Sequence, residues 1–158
     1  MVFTFFALLN ILAIVLIFKF QRKNIHPIEI VTCWLVSTIL FQNYSAFFVM
    51  NMKYFKVPEI LSLELTHLLN RTVLIPVITL IFINYYITKS KFRQKIIIFV
   101  SFVLFLGGIE FMEHFLGVLL HHNWKVLWSI AFWVIYLQLV NIFMKYFRKR
   151  LIKEVKQS

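Results

Sequence analysis

Three ionisable side chains interrupt an otherwise apolar run, residues 96–120, IIIFVSFVLFLGGIEFMEHFLGVLL: Glu110, Glu113 and His114. A second apolar stretch carries Glu64, His67, Asn70 and Arg71. On a helix, Gly107, Glu110, His114, Gly117 and His121 recur at steps of three and four, giving one small and polar stripe with Glu113 beside it. Glu64, His67 and Arg71 lie at i, i+3 and i+7, with Asn70 adjacent. In a third stretch Thr38, Gln42 and Ser45 share a face.

A charge at the centre of hydrocarbon costs about 2.5–3.5 kcal/mol, so each of these groups needs a reason. Four chemistries compete. Arg71 pairs with Glu110 or Glu113 and serves packing alone, because buried ions find partners whatever their purpose. Alternatively, Glu110, Glu113 and His114 titrate along a proton or cation path with Arg71 as counter-charge. Glu64-x-x-His67 has the spacing of di-iron bundle ligands, but the full pattern wants two such motifs and two further Glu. A haem between His67 and His114 is the fourth. The reading adopted is no metal and no cofactor, with Arg71 and Glu110 within salt-bridge reach across neighbouring helices.

Helices must carry these residues. A span takes ~20 apolar residues, and its backbone bonds must close internally. The pattern predicts an all-α, polytopic integral membrane protein with five transmembrane helices at about 2–18, 28–50, 65–87, 96–120 and 126–144, forming one domain. Counted at about 1.5 Å per residue from Ile87 and from Ile96, Arg71 and Glu110 land at a common depth of roughly 21–24 Å, with Gln42 level with them. Asn10, Asn84, Gln138 and Asn141 fall in the other half and read as interhelical bonds. Pro76 frees the Thr72 carbonyl one turn from Arg71. Pro58-Glu59 also reads as a helix start; if residues 59–70 lie flat at the surface, the third span shortens to 71–87.

Lys and Arg set the threading. Thirteen fall in the 19–27 and 88–95 connections and the tail, against three (Lys53, Lys56 and Lys125) in the alternate connections. That asymmetry predicts an N-terminus outside and a C-terminus in the cytoplasm. The tail, residues 145–158, spaces Phe147, Leu151 and Val155 helically behind Met144 among Lys and Arg, a pattern attracted to anionic lipid and also that of a stop-transfer cluster. His121, His122, Trp124 and Trp128 form an interfacial group at the opposite boundary.

Composition agrees. Of 158 residues 61% are hydrophobic and 15% charged, where soluble domains run at about 45–50% and 25%. The net charge of +11 is a threading signal, not a nucleic-acid footprint. Cys33 is the sole cysteine and Asp is absent, which removes disulfides, CxxC sites and Asp-based catalytic pairs. Walker, HExxH, GxSxG and dinucleotide motifs are absent too.

Pro76 in an apolar span, the basic turn Lys89-Ser90-Lys91-Phe92-Arg93, Glu110, and Trp124-Lys125-Val126-Leu127-Trp128 at the last span together resemble a family of small uncharacterised polytopic membrane proteins of endospore-forming bacilli and clostridia. The resemblance covers roughly residues 73–148. It implies architecture and a bacterial cytoplasmic membrane, nominates Glu110, Trp124 and Trp128, and implies no activity. The expected function is a small non-catalytic membrane component acting through helix–helix contact, with a membrane-protein partner or as a homo-oligomer. The alternative is an ion- or proton-coupled permeation protein using the Arg/Glu/His cluster.

Overall fold

The computed structural model describes residues 1–20, 26–122 and 125–155. Helix α1 is Val2–Phe20. Helix α2, Pro27–Ala46, opens on a capping box: His26 Nδ1 accepts from the Ile28 N–H at 3.3 Å and Glu29 Oε2 accepts from the His26 N–H at 2.9 Å. Both bonds satisfy donors that a helix start leaves orphaned. A π turn, Phe47–Asn51, ends it. Strand β1 is Phe55–Lys56, α3 is Leu61–Thr88, α4 is Phe92–Phe115, β2 is Leu120–His121, and α5 is Val126–Val155. Four helices are long and apolar enough to cross a membrane: Pro27–Val49, Leu61–Thr88, Phe92–Phe115 and Val126–Leu151. In α1 the apolar stretch is shorter, Val2–Ile17.

Helices α2, α3, α4 and α5 close a ring, each packing on the next and α5 returning to α2, while α1 packs on α3 from outside. That leaves α3 the most enclosed element, with Leu74, Val77, Leu80, Phe82 and Ile83 fully buried. On α2 the inward line is Glu29, Cys33, Ser37, Phe41 and Ser45, a strict four-residue repeat. Successive helices alternate in direction, so the connections between α2 and α3 and between α4 and α5 meet at one end. There β1 and β2 pair antiparallel, Phe55 opposite His121 and Lys56 opposite Leu120. We call this the ribbon end and the other the basic end.

Three element boundaries differ from the sequence expectation. The 96–120 span ends at Phe115, because Gly117 takes φ +73° and stops the helix as its C-terminal glycine, the Val118 N–H returning to Glu113 O at 2.8 Å. The helix expected at 65–87 starts four residues earlier, residues 61–69 continuing as one helix to Thr88 through a π turn at Asn70–Leu74. Pro76 explains that turn: it offers no N–H to Thr72, and the helix widens so that the Ile75 N–H reaches Asn70 O instead. The tail is not a separate element either, since α5 runs unbroken for 30 residues, about 45 Å.

Candidate functional site

The ribbon end holds a buried polar network organised by two carboxyl groups one helical turn apart. Glu113 Oε1 accepts a hydrogen bond from Asn70 Nδ2 at 2.7 Å. Asn70 Oδ1 in turn accepts from Asn10 Nδ2 at 3.0 Å, and the same amide reaches Phe6 O at 2.8 Å. His67 sets Nδ1 3.7 Å from Glu113 Oε2 while its Nε2 meets Ser45 Oγ at 3.2 Å. Glu110 faces the other way, toward α5. Its Oε1 accepts from Ser129 Oγ and its Oε2 from the Trp133 indole N–H, both at 2.7 Å. One or another residue of each of the five helices is thereby tied to α4.

The ribbon folds back over this network. His121 Nε2 lies 3.6 Å from Glu110 Oε1, too far for a hydrogen bond, and has no hydrogen-bond partner. Its ring stacks on His114 at 4.5 Å between centroids and packs against Phe55 at 4.9 Å. His114 Nδ1 lies 3.2 Å from both the His121 backbone N–H and the Leu119 carbonyl oxygen, which ties its ring to the turn after α4. Burial, and then the neighbouring His114, push the His121 pKa down to about 4, so His121 is neutral at neutral pH.

The structure brings together only part of the set nominated from sequence. Glu110, Glu113, His114, His67 and Asn70 converge. Arg71 and Glu110 form no salt bridge: once Asn70 is aimed at Glu113, Arg71 is turned about 100° away around α3. It is half-buried beside Leu61, Glu64 and Leu65, with its Nε unpartnered. Glu64 is exposed while His67 points inward, so Glu64-x-x-His67 does not converge. Gln42 is half-buried outside the network, and Ser45 supplies the contact from α2. Among the described residues no group of three or more His, Cys, Asp or Glu is placed to hold a metal ion. His67 and His114 engage different neighbours, not a common centre. His122 is exposed and donates its backbone N–H to Tyr54 O at 2.7 Å; Trp128 is exposed; Trp124 lies outside the described residues.

Asn10, read from sequence as an interhelical bond, does make one, but level with Asn70 and not in the other half, while Gln138, read likewise, is exposed. Several participants were not nominated from sequence. Ser129 and Trp133 clasp Glu110. A second, smaller knot joins Tyr136 to Ser37 and, at 3.1 Å, to Thr79. Glu29 is buried against α5, with Arg148 Nε at 3.4 Å from its Oε1. The signal for Glu29 is in the chain: a residue three beyond an N-cap, ahead of an apolar run, is a capping-box acid.

One turn toward the basic end from each polar group the interior is apolar and buried. Asn10 gives way to Ala13, Ser45 to Phe41, Asn70 to Leu74, Glu110 to Leu106, and Ser129 to Trp133 and Leu137. Phe41 stacks on Trp133 at 5.4 Å within this layer. A side cavity of about 560 Å³ opens between α4 and α5 at the level of Glu110, floored by Gly107 and Gly108. At the basic end, Lys95 and Lys145 lie 5.5 and 5.7 Å from the Tyr86 ring centroid, and with Arg148 and Lys149 they line an indentation of about 370 Å³.

No family model, no curated protein and no solved structure matches the chain. The functional reading therefore stands on this geometry.

Proposed function

We propose that the chain is a small non-catalytic integral membrane protein, threaded five times with the N-terminus outside and the C-terminus in the cytoplasm, that acts as an accessory or assembly component through helix–helix contact. The observation that carries this is the network on Glu110 and Glu113, which ties all five helices together and is sealed one turn below by an apolar layer. A network of that kind specifies which helices meet, and among the described residues the apolar layer separates it from the Tyr136, Ser37 and Thr79 knot. The Lys/Arg asymmetry supports the orientation. The basic indentation beside Tyr86 would then face the cytoplasmic leaflet, where anionic lipid headgroups are its natural partners. The resemblance of residues 73–148 supports a bacterial cytoplasmic membrane.

One observation favours a second reading, proton-coupled permeation. Among the described residues Glu110 and Glu113 have histidines and no Lys or Arg within ion-pair reach, which leaves the two carboxyl groups without a fixed counter-charge. The apolar layer opposes it. Purification in mild detergent with mass spectrometry of co-eluting proteins separates the two. The accessory reading expects a stoichiometric protein partner or a homo-oligomer, with Glu110→Gln weakening that assembly. A monomer carrying proton flux that Glu110→Gln abolishes would overturn it.

A further inference from the structure

The side cavity between α4 and α5 has the form of a ligand site. Its volume of about 560 Å³ lies within the ~300–1,000 Å³ of small-molecule pockets. Its walls are apolar, from Leu104, Phe111, Val126 and Ile130, and these side chains are exposed on the outer surface of the ring, so the cavity opens sideways. Its floor is two glycines in mid-helix, where glycine weakens the helix. A Cβ at Gly108 would meet nothing within 4 Å, and one at Gly107 only Trp133 Cδ1 at 3.9 Å. Close helix packing therefore does not require them; they leave the groove deep.

The polar end of the groove is specific in charge. Glu110, Ser129, His114 and His121 meet there. The Glu110 side chain is more than nine-tenths buried, and among the described residues no Lys or Arg reaches it. The neighbouring His121 Nε2 is buried without a hydrogen-bond partner. Ser129 and Trp133 each donate to one Glu110 oxygen, and an ammonium head supplies the counter-charge this end lacks. A carboxylate head would instead face Glu110 as a like charge.

We propose that this groove binds a single-chain amphiphile with a primary-amine head, its tail over Gly107 and Gly108 and its head against Glu110. The assignment goes beyond the accessory role above and stands whether or not a partner protein co-purifies.

The test uses full-length protein in nanodiscs with Trp34→Phe, Trp124→Phe and Trp128→Phe, leaving Trp133, which is bonded to Glu110 and adjacent to Gly107, as the reporter. Brominated dodecylamine, brominated dodecanol and a brominated fatty acid are titrated against its fluorescence. Saturable quenching is expected with the amine, at least tenfold tighter than with the acid. Gly108→Leu, which fills the groove without a backbone clash, should weaken it at least tenfold while helical circular dichroism is retained. Val126→Phe fills the groove from α5 and serves if Gly108→Leu fails to fold. Glu110→Gln should erase the preference for amine over acid. Equal, non-saturating quenching by all three heads would overturn the proposal, as bulk solvation of the groove. So would tight amine binding that survives both filling variants, or quenching by a brominated two-chain phospholipid that matches the amine.

Discussion

A buried carboxyl group is tolerable only when donors meet its oxygens, and here they arrive from neighbouring helices: Asn70 to Glu113, Ser129 and Trp133 to Glu110. Interhelical bonds of this kind are modest, and a double-mutant cycle with Asn70→Leu and Glu113→Leu, followed by unfolding in detergent, is expected to give a coupling of about 0.5–2 kcal/mol. Arg71 should behave otherwise. Because it pairs with no acid among the described residues, Arg71→Met is expected to shift stability by less than about 0.5 kcal/mol, where loss of a buried ion-pair partner costs about 3–5 kcal/mol. His121 carries a pH signature of definite sign. Unfolded, it binds a proton near pH 6.5; folded, only near pH 4. Between those values the unfolded state holds the extra proton, so stability falls as pH drops through that window and levels off below it. His121→Gln should remove that component of the pH dependence of the thermal midpoint.

The depth arithmetic put Arg71, Glu110 and Gln42 at one level, with Glu113, His114 and His67 a little higher, and matched Arg71 with Glu110. Depth fixes height along a helix and leaves rotation open, and one residue of rotation separates Asn70 from Arg71. Ser45 was read on the polar face of its helix and does join the network, whereas Ser129 and Trp133 were missed because serine and tryptophan are unremarkable in an apolar helix. The four-residue repeat Glu29, Cys33, Ser37, Phe41, Ser45 marks the inner face of α2, and the trio Thr38, Gln42, Ser45 reached only its last member, because the repeat mixes residue types that burial alone unites.

Among the elements, helix starts and long apolar runs were readable, and the ends less so. Lys89 to Lys91 separate α3 from α4 as expected. The exit of α4 was not readable, because Leu116 to Leu119 are as apolar as the helix before them; they leave it only through the conformation of Gly117. Gly117→Ala forces a side chain into a left-handed backbone and is expected to lower stability by about 1 kcal/mol, measured as the unfolding midpoint in detergent. Pro76 has a longer reach. Restoring its N–H in Pro76→Ala favours a regular α turn in place of the π turn, which rotates Asn70 away from Glu113. The Asn70–Glu113 coupling should then shrink toward zero in the Pro76→Ala background.

Taken together, the ring of α2 to α5 with α1 outside it is a closed assembly whose polar contacts concentrate at the ribbon end and whose cations gather at the other. Five apolar runs made the all-α class and the helix count legible from sequence. Which helices touch was not, since hydropathy is blind to neighbours and lipid tails are as apolar as Leu. The α1–α3 contact is written in one bond, Asn10 to Asn70, whose two ends are sixty residues apart.

The central claim is that this network joins helices and does not conduct. Purified protein in liposomes holding a pH-sensitive dye, under an imposed proton gradient and potential, tests it directly. The account expects the gradient to decay at the rate of empty vesicles, for the native chain and for Glu110→Gln alike. Faster decay in the native chain that Glu110→Gln returns to the empty-vesicle rate would contradict it.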